Sequence, residues 1–201
     1  RNEMWVCRST DGGRTWDKAL IPGRSYPRNV VVEQDGTLLF LRSKGAEKFE
    51  LCRSGDHGKT WTFSEGLIDW RPEDISAFSE VSVLRLKSGN LPAALRHRRP
   101  VARSGAAPRG HRGHALARTM VTVSGDDGKT WSTPRPLTNT GEVHGNLLQL
   151  KDGRILMFAR TSLGRIYQVH SPDGGNRWGY PEPTRLACSY SPCRLRRIPR
   201  S

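Results

Sequence analysis

The chain has 201 residues, 35% hydrophobic and 26% charged, with 21 Gly, 13 Pro and six Trp. That leaves room for a sizeable core and excludes both a disordered chain and a collagen-like one. The longest apolar runs are four or five residues, too short to cross a membrane, so no membrane span is expected. The net charge of +14 comes largely from two acid-free segments, 97–125 with six Arg and 183–201 with five Arg. The first of these has no aromatic residue to stack on bases, so nucleic acid is not expected as a partner.

In chain order, the first signal is an octapeptide, Ser9, Asp11, Gly13, Thr15 and Trp16 in the pattern Ser-x-Asp-x-Gly-x-Thr-Trp. It returns at 54–61, 124–131 and 171–178, with Arg177 replacing Thr in the last copy, and the starts are separated by 45, 70 and 47 residues. Its Ser and Asp suit local hydrogen bonds to backbone, its Gly a left-handed turn, and its Trp packing between sheets. The octapeptide therefore reads as structural. Cys7 and Cys52 stand two residues before the first two copies and read as buried strand residues.

Between copies lies an apolar run, a turn and a second apolar run: 29–33 with 37–41, 81–86 with 91–95, and 146–150 with 155–158. Gly36, Gly89 and Gly153 mark the turns, which predicts tight hairpins. A third run leads into each octapeptide and a fourth follows its Trp. Four short strands per unit of roughly 45 residues predict an all-β chain built as a β-propeller. From Arg42 to Ser54 is 12 residues and from Arg160 to Ser171 is 11, but Arg96 to Ser124 is 28. The basic stretch at about 97–119 is thus an insert between second and third strands: a solvated loop, a lip over a site, or a sequence error.

Alternation of the strands puts the hairpin turns and octapeptides on one rim. The opposite rim then holds Arg28, Glu80, His144 and Tyr190 at first-strand starts, Arg42, Arg96 and Arg160 at second-strand ends, and Arg165 at a third-strand start. Arginine's donor fork suits a planar carboxylate, so this rim reads as an anion-binding mouth. Cys188 and Cys193 lack metal-ligand spacing, and no metal or cofactor is expected.

The four octapeptides resemble the Asp-box repeats of sialidases (neuraminidases), and the likeness runs through essentially the whole of 1–201. The resemblance implies a six-bladed propeller of which about four blades are covered here, so the chain reads as a partial domain, with its true termini unknown. It further implies a retaining glycoside hydrolase that removes terminal sialic acid, or a related acidic sugar, from glycoconjugates, with a tyrosine as nucleophile. By the same likeness Glu80 and Tyr190 are the catalytic pair, and Arg96, Arg165 and Arg28 bind the substrate carboxylate. The acid/base Asp and the first arginine of the family's triad have no clear match: Tyr26-Pro27-Arg28-Asn29 departs from the family motif on both sides of the arginine. Secretion or a periplasmic location follows from the resemblance alone. The rival reading is a non-catalytic Asp-box propeller that binds glycans or protein partners.

Overall fold

The computed structural model describes residues 4–21, 27–44, 48–68, 78–98, 117–137, 143–161, 163–188 and 193–197. Tyr26, Tyr190 and most of the basic insert, 99–116, lie outside the described residues. Every element among the described residues is a strand.

The strands form four sheets. A first antiparallel pair joins β1 (Met4–Arg8) to β2 (Asp17–Ile21). Blade one runs from β3 (Val31–Val32) through β4 (Leu38–Ser43) and β5 (Lys48–Ser54) to β6 (Thr62–Ile68). Blade two orders β7 (Phe78–Val83), β8 (Leu91–Arg98), β9 (Ala117–Ser124) and β11 (Arg135–Pro136). Between those last two, β10 (Thr130–Trp131) crosses back and pairs in parallel with β6 of blade one. Blade three is β12 (Val143–Gln149), β13 (Ile155–Arg160), β14 (Arg165–Ser171) and β15 (Glu182–Ala187). This is the propeller-type, all-β arrangement that the repeat predicts. Arg98 at the end of β8 pairs with Ala117 at the start of β9.

One hairpin is built three times between first and second strands. The amides of Gly36, Gly89 and Gly153 donate to Glu33, Leu86 and Leu150 at 3.0–3.2 Å, and each glycine holds φ between 86° and 91°. A type I turn followed by a left-handed residue gives that geometry, and glycine takes it without steric cost.

The octapeptides close the third-to-fourth strand hairpins by one network. Ser124 Oγ donates to Asp126 Oδ1 and accepts the Gly128 amide, both at 2.8 Å, while Thr130 Oγ1 donates to Asp126 Oδ2 at 2.6 Å. Trp131 Nε1 then donates to the Gly128 carbonyl at 3.1 Å. Trp131 is buried edge-on against Phe49 of blade one, ring centres 5.2 Å apart. In the last copy Arg177 stands in for Thr and binds Asp173 through its side chain.

Apolar side chains fill the spaces between neighbouring sheets. Leu39, Leu41, Phe49 and Leu51 pack with Val81, Val83, Leu91 and Leu95 between blades one and two. Leu147, Ile155, Met157 and Val169 pack with Leu86 and Ala94 between blades two and three. Cys52 is fully buried with Phe40 and Ile21, as expected. Cys7 is exposed, against expectation. Met4 and Val6 take the face of β1 that packs on blade one, which leaves Trp5 and Cys7 on the other face.

Candidate functional site

The first strands lie side by side at the centre, stitched across blade boundaries by polar side chains. Asn29 Nδ2 donates to Val83 O at 2.6 Å and its Oδ1 accepts the Val83 amide. Ser82 Oγ donates to the Gly145 carbonyl, and Asn146 Nδ2 to the Cys193 carbonyl at 2.6 Å. These bonds satisfy buried backbone where sheet pairing stops.

At the rim away from the hairpin turns, this stitching draws charged groups together. Glu80 sits in β7 where the register with β8 slips between Ser79 and Ser82. Its Oε1 takes Arg28 Nη2 at 2.6 Å from the segment that precedes β3 and Arg96 Nη1 at 3.2 Å from β8. Burial pulls the Arg160 guanidinium below its ordinary value, with the Glu80 carboxylate opposing that shift and Arg28 adding to it. Arg28 and Arg96 thus bind Glu80 directly, and Arg160 on blade three feels its charge.

Arg42, Arg96 and Arg160 occupy the same place in successive blades, and what stands opposite them decides their fate. Arg42 pairs in register with Glu50, whose carboxylate takes its guanidinium in a buried ion pair. Opposite Arg96 is Thr119, and opposite Arg160 is Ile166. Neither offers a cross-strand carboxylate, and Arg96 meets Glu80 instead. Arg96 and Arg160 are 5% and 4% exposed, so their charge is sheltered from water, where an anion is held far more strongly than on an open surface. Thr119 Oγ1 is buried without a hydrogen-bond partner beside Arg96.

Arg165 takes a different course. It is exposed at the start of β14, where its guanidinium reaches the Thr184 carbonyl at 3.4 Å. No ion pair among the described residues joins it to Glu80. Tyr190 lies outside the described residues, as does the side chain of His144. Its flanking residues are placed: the Cys188 amide donates to Gly164 at 2.9 Å, and Cys193 Sγ approaches the Phe158 carbonyl. Both thiols lie within electrostatic reach of Arg160. Among the described residues no three His, Cys, Asp or Glu side chains gather to hold a metal ion. Sequence reasoning placed Arg160 on this rim but did not single it out. The signal was its equivalence to Arg96 together with the missing carboxylate across the strand.

Residues 28–198 match the family described as BNR repeat-like domain. No curated protein matches the chain by sequence. Among solved structures it resembles a protein of unknown function from Dyadobacter fermentans, at 22% identity and TM-score 0.57, over 83% of this chain and 47% of that one. It resembles the NanB sialidase from Streptococcus pneumoniae at 18% identity and TM-score 0.60, over 90% of this chain and 28% of that one. It also resembles the alpha-L-arabinanase of Penicillium chrysogenum at 20% identity and TM-score 0.55, over 85% of this chain and 55% of that one. The chain thus spans 55% or less of the length of each. These likenesses carry the fold alone.

Proposed function

The chain belongs to the BNR repeat-like domain family, and we propose that it is part of a sialidase-like glycoside hydrolase acting on a terminal acidic sugar of glycoconjugates. The observation that carries this reading is the cluster of Arg28, Arg96 and Arg160 around Glu80. Among the described residues, three guanidiniums stand against this one carboxylate, which makes the mouth positive there. A neutral sugar has no use for it, whereas a sugar carboxylate matches an arginine fork in shape and charge.

In this reading Arg96 and Arg160 clamp the substrate carboxylate, and Arg160 takes the part that the resemblance gave to Arg165. Glu80 accepts the phenolic proton of Tyr190 as the tyrosine oxygen attacks the anomeric carbon. The bond to the leaving group breaks with its electron pair going to the glycosidic oxygen, which takes a proton from solvent as it departs. Water then attacks the anomeric carbon and gives its proton to solvent, the glycosyl–tyrosine bond breaks as Glu80 returns its proton to the tyrosine oxygen, and configuration is retained over the two displacements. A phenol suits this task because a carboxylate nucleophile would be repelled by the substrate's own charge.

The experiment is hydrolysis of a fluorogenic sialoside by the full-length protein and its Tyr190→Phe variant. Turnover that disappears in the variant is the expected result. A folded full-length protein without turnover, which still binds sialylated glycans, would favour the non-catalytic reading.

A further inference from the structure

We propose that Arg28 is a positioning residue: it holds the Glu80 carboxylate in place across a blade boundary and does not bind the sugar. The inference rests on the reading of Glu80 given above and changes the part assigned to Arg28.

Three non-glycine residues among those described have left-handed backbones. His57 and Asp127 are turn residues of octapeptides, where such a conformation is expected. Glu80, at φ 57°, is inside a strand. An L side chain in that conformation is crowded by its own backbone, and it persists only where the surroundings over-determine it.

Arg28 supplies that determination from both sides of the slip. Its amide donates to the Val81 carbonyl at 2.8 Å, directly after Glu80, and its Nη2 holds Glu80 Oε1 at 2.6 Å. The next residue, Asn29, clamps Val83 with two further bonds. One short segment of blade one thus fixes the backbone after Glu80 and its carboxylate at once. Arg96 meets the same oxygen from β8 at the longer distance of 3.2 Å, so Arg28 makes the closer contact. Arg28 thus binds Glu80 through its side chain and the backbone beside it through its amide. Its Nε, however, is buried without a hydrogen-bond partner, so a test has to separate holding Glu80 from holding ligand.

The test combines crystal structures and kinetics of the full-length protein with Arg28→Ala, Arg28→Lys and Glu80→Gln, using a fluorogenic sialoside. In Arg28→Ala the Glu80 carboxylate leaves Arg96 and its backbone leaves the left-handed region. The kcat falls by at least about tenfold with KM within about threefold, the pattern of a lost transition-state contribution. Arg28→Lys keeps the fold and the carboxylate's position and recovers most of kcat. The proposal is overturned if Glu80 is unmoved in Arg28→Ala, if Lys fails to restore its position, or if KM rises about tenfold with kcat unchanged, which would place Arg28 on the sugar. Full turnover in Glu80→Gln would instead remove Glu80 from the reaction, whatever the crystal structures show of Arg28.

Discussion

Arg42 and Glu50 face each other across β4 and β5 in a buried ion pair that blades two and three do not repeat. The residue opposite the same arginine position changes from Glu50 in blade one to Thr119 and Ile166 in the next two, so the cross-strand ion pair belongs to blade one. Removing one partner of a buried pair strands the other charge, so Glu50→Gln is expected to cost about 3–5 kcal/mol in denaturant unfolding.

Transplanting the pair gives the converse. Thr119→Glu places a carboxylate opposite Arg96 as Glu50 stands opposite Arg42. It is expected to lower turnover of an acidic sugar by about tenfold or more, the worth of one charge-assisted bond. A fluorogenic assay beside a thermal melt separates this from unfolding.

The blade contact at the third octapeptide is tight. A Cβ on Gly66 would run into the Gly128 carbonyl and come within 2.8 Å of Trp131 Nε1. Backbone cannot step aside as a flexible side chain can, so Gly66→Ala is expected to cost about 1–3 kcal/mol by chemical denaturation.

Acid should loosen the same turns. The Thr130 hydroxyl, the Thr130 amide and the Ser124 hydroxyl hold Asp126 down to about 2, against 3.8 ordinarily. A carboxylate lowered by folding contributes stability that is fully present above about pH 4 and lost as pH falls through about 2. Urea unfolding of Asp126→Asn across that range should show a shallower dependence on pH than the parent protein.

Much of the fold is legible in the sequence because each octapeptide closes its own hairpin with its own side chains. Ser124, Asp126 and Thr130 bond within seven residues, so local chemistry dictates local structure. The glycine turns at 36, 89 and 153 are local in the same sense. Cys7 escaped this logic because its burial depends on what covers the outer face of β1, not on its neighbours in the chain. The site is less legible still. Arg28 meets Glu80 across 52 positions of sequence, and the proposed preference for Arg160 over Arg165 rests on cross-strand register, which spacing alone does not reveal.

The central claim, that Arg96 and Arg160 form the anion clamp beside Glu80, is tested most directly by kcat/KM of the full-length protein on a fluorogenic sialoside after Arg160→Ala and Arg165→Ala. The account predicts a loss of about a hundredfold or more for Arg160→Ala, as expected when a sheltered charge-assisted pair is removed, and less than about threefold for Arg165→Ala. An unimpaired Arg160→Ala enzyme, or an Arg165→Ala enzyme that alone loses turnover, would contradict it.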